Sequence, residues 1–226
     1  MARDPNADPA GLLDGALHEL REPATTLRSF MEQLLDEPAA TAGPARARLE
    51  RAHGAAVRVL GLVDALRPFA RIGRLPPRLE EVDGEVLLAR VLVELSVVIA
   101  ETGVTVTHDP LPTLTTDAER LVLVLHQLFG NAIRFRKADP VVIHVSADPI
   151  PEGWRFAVAD RGIGIEAAYV ERVFWPFERL HAREAYPGHG LGLALCRRII
   201  TGLGGRIWAE GRAEGGTRIC FSLPAA

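Results

Sequence analysis

Residues 158–165 read VADRGIGI: the end of an apolar run, then Asp160, then Gly162 and Gly164 spaced by one residue. The alternation over 154–159 predicts a strand, so the aspartate closes a strand and the glycines open a loop. Glycine lets backbone approach a flat ligand closely, and a carboxylate at that point can accept a hydrogen bond from an exocyclic amine such as that of adenine. The same pattern also suits an ordinary strand-to-loop turn.

Working outward, residues 188–193 read GHGLGL and lead into a helix predicted over 191–203. Bare glycine amides at a helix start form a phosphate cradle. The Lys and Ser/Thr of a Walker loop are absent, and Pro187 with its polar neighbours replaces the strand of a dinucleotide-binding unit. A glycine-rich loop without ligand fits this motif equally. Upstream, QLFGNAIRFR, residues 127–136, lies on a helix predicted over 117–136 with Leu121, Leu125, Leu128 and Ile133 on its apolar face. Asn131 offers a neutral oxygen to Mg²⁺ and Arg134, one turn on, a guanidinium to a phosphate; Asn131 as a satisfied core amide is the even alternative. A helix over 84–101 and strands at 104–108, 141–147, 206–210 and 218–223 complete an α/β domain over residues 75–226, a sheet backed by helices on one side.

The first 74 residues follow another rule. Apolar residues recur at Leu13, Leu17, Leu20, Ala24, Leu27, Met31 and Leu34, in alternating steps of four and three, and again at Leu49, Ala52, Ala56, Val59, Val63, Leu66 and Ala70. Asp8 and Pro9 supply a cap and first helical position. EPAATAGP, residues 37–44, interrupts the two helices, and Gly73, Pro76 and Pro77 mark the linker. The expectation is an antiparallel hairpin over 8–74 that dimerises through residues 8–72 into a four-helix bundle; a hairpin lying on its own second domain is the alternative. On the first helix stands LHELREP, residues 17–23. His18 flanks the seam, Glu19 can take a proton from one ring nitrogen, and Pro23 cannot donate to the Glu19 carbonyl. A lone helix histidine is ordinarily only a surface residue.

Composition narrows the classes. A formal net charge of -3 gives nucleic-acid binding no electrostatic support. The two cysteines, Cys196 and Cys220, sit in apolar stretches at no metal-ligand spacing, which fits a reducing cytoplasm. The N-terminal stretch lacks the apolar core of a secretory signal, and the most apolar segment, residues 86–100, is too short to span a bilayer.

The order of these motifs resembles the bacterial sensor histidine kinases over about residues 12–224: His-Glu-x-x-x-Pro on a heptad helix, the Asn helix, D-x-G-x-G, the paired phenylalanines of VFWPFERL, G-x-G-x-G before a helix, and GGT before the last strand. LHELREP, NAIRFR and FERLHAREAYPGHGLGLALCRRI look most like the kinase output modules of bacterial phytochromes. The resemblance implies a multidomain chain: a dimeric helical bundle, then an α/β sandwich ATP-binding domain of the histidine kinase type. It implies that His18 is the phosphorylated residue and Glu19 its acid–base neighbour. It further implies that Asn131 binds Mg²⁺, that Arg134 reaches the phosphates, and that Asp160 reads adenine in a pocket shaped by Gly162 and Gly164. Phe174 and Phe177 would flank the start of a lid running to Gly188; Gly188, Gly190, Leu191 and Gly192 would form its hinge, and Thr217 would serve the last box. ATP and Mg²⁺ are then the ligands and a response regulator receiver domain the partner, with a separate sensor protein if the kinase stands free, as Met1 and the polar leader suggest.

Three departures qualify the implied activity. Gln127 stands where an Asn is common, His189 separates two hinge glycines, and Glu22 occupies the position where the Thr or Asn associated with phosphatase activity often stands, so the resemblance does not carry that activity over. A dimeric histidine phosphotransfer protein with a degenerate ATP domain is the competing reading. Gln127 favours it; Asp160, Asn131 and the full G-x-G-x-G oppose it.

Overall fold

The computed structural model describes residues 9–36, 44–137, 142–181, 186, 188–212 and 215–225. The chain divides between Pro76 and Pro77 into two compact units.

The first unit is two long helices, α1 (Pro9–Asp36) and α2 (Pro44–Arg74). Pro44 opens α2, a position whose N–H has no intrahelical partner in any case. Gly73, expected in the linker, lies instead in the last turn of α2. Asp8 and most of the interrupting segment lie outside the described residues. The helices are antiparallel: Arg21 of α1 meets Asp64 of α2 at 3.0 Å, and Glu32 meets His53 at 3.3 Å. These exposed pairs contribute well under 1 kcal/mol each and report register more than stability. Apolar contact does the holding: Leu17, Val63 and Ala70 are buried in one cluster with Leu66 packed against it. Two helices can shield only one stripe between them. Leu20, Leu27, Leu34 and Val59, expected on the same seam, stay 44–54% exposed.

The second unit is α+β. A mixed sheet runs in the order β2 (Thr105–His108), β4 (Val142–Ile150), β5 (Gly153–Asp160), β7 (Thr217–Pro224), β6 (Ile207–Gly211). Strands β2 and β4 are parallel and the remaining neighbours antiparallel. A separate antiparallel pair, β1 (Glu80–Asp83) with β3 (Thr113–Thr116), was not expected from the sequence, since both strands are short and mostly polar. The helix expected over 84–101 is two, α3 (Gly84–Glu94) and α4 (Ser96–Thr102), separated at Leu95, whose φ of -95° and ψ of 3° leave the helical range.

Two helices position the site. Helix α5 (Ala118–Arg134) starts at Asp117, whose carboxylate accepts the Arg120 N–H at 3.1 Å, and buries Leu121, Val124, Leu125, Leu128, Phe129 and Ile133. Helix α6 (Gly192–Gly202) buries Leu195, Cys196, Ile199 and Ile200. With Ile143, Val145, Phe156 and Phe221 of the sheet these side chains make the core, and Phe156 stacks on Phe221 at 5.2 Å between ring centres. Cys196 and Cys220 are free and buried, and burial pushes the Cys220 thiol up to about 12.

Candidate functional site

Asp160 ends β5, and its register explains its surroundings. Strands β5 and β7 pair as far as Ala159 opposite Arg218, so the start of β7 arrives beside the aspartate. Oδ1 of Asp160 accepts the Gly162 N–H at 2.7 Å and the Thr217 N–H at 3.1 Å. Burial pushes the carboxyl above its ordinary value, opposed by these two backbone donors and by the Arg212 guanidinium. Both donors reach the same oxygen, which leaves Oδ2 as the acceptor a ligand would use.

The glycines around it are close-approach positions. A Cβ on Gly216, whose φ is +86°, would lie 2.1 Å from the Asp160 carbonyl oxygen, and one on Gly162 would lie 2.4 Å from the Phe135 carbonyl oxygen. That same Phe135 carbonyl accepts the Ile163 N–H at 2.9 Å. The D-x-G-x-G loop is therefore fixed on two sides, by the chain leaving α5 and by the chain starting β7. A cavity of about 550 Å³ opens beside it, lined by Gly164, Tyr169, Arg179, His181, Arg212 and Gly216 among others. Of the residues proposed from sequence only Gly164 lines it.

Helix α5 supplies a second edge. Gln127, Asn131 and Arg134 follow at spacings of four and three and share a face. Gln127 turns to the start of α6, where its Oε1 lies 2.6 Å from the point a Gly192 Cβ would occupy. The half-buried Asn131 makes no side-chain hydrogen bond among the described residues. Arg134 lies beside Gly188, with Nη1 2.9 Å from the point a Cβ there would occupy. Burial, together with the nearby Arg179 cation, pushes the Arg134 guanidinium down.

The chain before α6 is tied to residues 177–179. The Phe177 N–H donates to the Gly190 carbonyl at 2.8 Å, and a Cβ on Gly190 would lie 2.6 Å from the Glu178 carbonyl oxygen. Leu191 is buried and caps α6. Phe174 is buried, whereas Phe177 is 56% exposed and takes a φ of +65°, unusual for a bulky residue. Much of the expected lid, residues 182–185 and 187, lies outside the described residues. The structure thus brings together Asp160, Gly162, Gly164 and Thr217, and separately Arg134, Gly188, Gly190, Leu191 and Gly192. His18 and Glu19 lie on α1 in the other unit, and their side chains lie outside the described residues. Sequence reasoning missed Phe135, whose carbonyl anchors the loop and whose ring packs on Tyr186 at 5.0 Å, and Arg179. Phe135 acts through its backbone carbonyl and Arg179 through contacts to carbonyls, which leave no mark in a pattern of glycines and carboxylates.

A half-buried carboxylate between two glycine turns at the end of a mixed sheet, with a cationic helix end beside it, defines a nucleotide-binding ATPase domain. Residues 116–226 match the family described as histidine kinase-, DNA gyrase B- and HSP90-like ATPases. Over 163 residues the chain is 37% identical to cyanobacterial phytochrome A of Nostoc sp., covering 72% of this chain and 21% of that protein. It is 30% identical to the phytochrome-like protein Cph1 of Synechocystis sp., over 97% of this chain and 29% of that one. Full-length ShkA, solved in complex with AMPPNP, superimposes with a TM-score of 0.68 at 29% identity, over 96% of this chain and 47% of its own. The chain belongs to the sensor histidine kinases. It spans less than a third of the length of these phytochrome relatives. No helix among the described residues is long and apolar enough to cross a membrane.

Proposed function

We propose that the chain is a kinase core that phosphorylates its own His18 from ATP and passes the phosphoryl group to an aspartate of a response regulator receiver domain. The observation that carries this reading is Asp160, a half-buried carboxylate with one oxygen held by two backbone N–H groups and the other left for a purine amine. Gly162, Gly164 and Thr217 shape that end of the pocket, while Arg134 and the glycine turn of Gly188, Gly190, Leu191 and Gly192 receive the phosphates at the start of α6.

The residues present fit one Mg²⁺. Asn131 carries an amide oxygen without a partner among the described residues, on the helix face that also carries Arg134, and Mg²⁺ prefers such hard oxygens together with phosphates and waters. Among the described residues no group of three His, Cys, Asp or Glu forms an all-protein metal cage. When bound, the ion would neutralise phosphate charge. Asn131 is the residue we assign to hold it.

In the proposed reaction a ring nitrogen of His18 attacks the γ-phosphorus in line. The nitrogen–phosphorus bond forms as the bond to the bridging oxygen breaks, and ADP leaves. Glu19 accepts the proton from the other ring nitrogen. A carboxylate oxygen of the regulator then displaces the imidazole. The hairpin acts as a homodimer, supported by the apolar residues of α1 that its own α2 does not cover.

The test is incubation with γ-labelled ATP and Mg²⁺, beside His18→Ala and Asp160→Ala. Acid-labile label on the wild type and on neither variant is the expected result. An unlabelled wild type that binds no nucleotide overturns the reading; label surviving His18→Ala moves the phosphosite.

A further inference from the structure

Arg212 approaches Asp160 from a strand that does not neighbour it. The residue before it, Gly211, ends β6 and pairs with Thr217 of β7. Strand β7 lies between β6 and β5, so an arginine leaving β6 meets the end of β5 only by passing the start of β7. Arg212 does so, and its Nη1 donates to the Asp160 carbonyl at 3.0 Å. The ladder offers nothing at that point. Pairing of β5 with β7 ends at Ala159 opposite Arg218, and the Thr217 N–H goes to the Asp160 carboxylate. One guanidinium therefore ties the ends of three strands together at the residue that carries the free Oδ2.

Arg212 also lines the cavity of about 550 Å³ beside the D-x-G-x-G loop. The other charged or titratable groups lining it are Glu166, Tyr169, Arg172, Glu178, Arg179 and His181. Arg172 and Glu178 engage each other at 2.6 Å, and Arg179 donates to the Tyr186 carbonyl at 2.8 Å. Lys137 comes to the same turn as Arg212, its Nζ 3.9 Å from the point a Gly215 Cβ would occupy, and Arg161, next to Asp160 in sequence, is exposed. Among the described residues Arg212 is the one side chain whose charge favours the ionised form of the Asp160 carboxyl, against the burial that disfavours it.

We propose that Arg212 is a positioning residue for recognition of the base: it braces the Asp160 carbonyl from β6 and sets a positive charge beside the carboxylate, so that Oδ2 remains an acceptor for a purine amine as the solution acidifies. This inference rests on the reading of the second unit as an ATP site, and it assigns a role to a residue outside the glycine and asparagine motifs. The sign follows from the charge. Removing a cation beside a carboxylate makes protonation easier, so the acceptor is lost at a higher pH. The effect acts on the base and not on the phosphates, and it passes through Asp160 alone.

The experiment is calorimetric titration of the whole chain with ADP and with adenosine in Mg²⁺ buffer, from neutral pH downward. Wild type, Arg212→Gln and Arg212→Lys are compared, each also combined with Asp160→Asn, and melting curves without ligand verify that each is folded. Glutamine keeps a donor for the carbonyl and loses the charge; lysine keeps the charge and loses the planar fork. In Arg212→Gln the pH at which half of the affinity is lost should rise by about 0.5–1, below the roughly 1–3 of a carboxylate bonded directly to a guanidinium. In Arg212→Lys that midpoint should stay near the wild-type value. The rise should be the same for ADP and adenosine, and absent when Asp160→Asn is present. An unmoved midpoint in Arg212→Gln, an equal rise in Arg212→Lys, a rise that persists with Asp160→Asn, or an effect on ADP but not adenosine would overturn the proposal while leaving the ATP reading intact. If Arg212→Gln does not fold, adenosine titration of the wild type at increasing salt decides: screening the charge should raise the midpoint, and an unmoved midpoint overturns the proposal. A wild type that binds neither ADP nor adenosine defeats the ATP reading first and this inference with it.

Discussion

Oδ1 of Asp160 accepts the backbone N–H of Thr217 across a separation of 57 residues, at 3.1 Å. That bond makes the last strand part of the pocket, and Gly216 is what allows it. A methyl group on Gly216 would sit 2.1 Å from the Asp160 carbonyl oxygen and 2.8 Å from the Arg161 Cα, at a φ of +86°. Backbone and not a side-chain tip is in the way, so relief requires the β5 and β7 ends to part. Gly216→Ala should cost about 2–4 kcal/mol of stability. Thermal melting should show a drop of several degrees. ATP affinity should fall further than the lost stability explains, because Thr217 no longer reaches the carboxylate. Gly211→Ala is the control, since a Cβ there meets nothing within 4 Å.

Asp160→Asn separates the two oxygens of that carboxylate. The amide oxygen of asparagine can keep both backbone donors, while its NH₂ replaces the acceptor at Oδ2 with a donor. A purine amine would then face a donor. The variant should melt no lower than the wild type without ligand, since it also removes the burial cost of a charge. Its affinity for ATP should fall roughly 10- to 100-fold, the scale for losing a hydrogen bond to a charged group. Calorimetry beside a melting curve checks both halves; a variant that melts much lower, or binds as well, contradicts this use of Oδ2.

The same carboxyl gives a pH dependence. Its folded value is raised above the ordinary 3.8, so the folded state favours the protonated form and the ionised group opposes folding at neutral pH. As pH falls through the raised value, this group's opposition to folding is relieved, while the acceptor that a purine amine needs is lost. ATP affinity should therefore weaken with acidification over a window that begins above pH 3.8. In Asp160→Asn that component should be flat. Titration of both proteins at several pH values, with melting curves, measures the difference attributable to this one group.

The sheet, both site helices and the glycine turns were legible in sequence because each rests on local patterns: alternation for β5 and β7, an apolar face for α5, paired glycines where backbones touch. The pair β1 and β3 was not legible. Thr113, Leu114, Thr115 and Thr116 alternate for only four residues, and Glu80 and Glu81 have poor strand propensity; pairing across the intervening helices, not local preference, makes them strands. The break at Leu95 was hidden because the apolar run continues through it. Within the site, Asp160 was visible through its neighbours Gly162 and Gly164. Phe135 acts through a carbonyl and Arg179 through contacts to carbonyls, and backbone acceptors carry no sequence signature. The heptads of α1 and α2 showed which residues are apolar but not which partner covers them.

That last ambiguity yields the most direct test of assembly. Leu17, Val63 and Ala70 are 0–3% exposed within one hairpin, so they are already covered by their own chain. Leu27, Leu34 and Phe30 are 45–58% exposed on the same helix. Covering a large apolar side chain contributes about 1.5–3 kcal/mol, and each copy of a bundle would cover several. A glutamate at Leu27 or Leu34 costs a single hairpin little, because those positions already face water, but places a charge inside a bundle of two. Leu27→Glu combined with Leu34→Glu should convert a species near twice 24.5 kDa into one near 24.5 kDa by light scattering after size exclusion. Helical content and ATP affinity should stay within experimental error. Gln33→Glu, on the exposed side of the same turn, should leave the mass of the assembly unchanged. If the double variant keeps the wild-type mass, α1 is not the surface on which two copies meet. If the wild type is already monomeric at micromolar concentration, the exposed leucines require another partner and the four-helix arrangement falls.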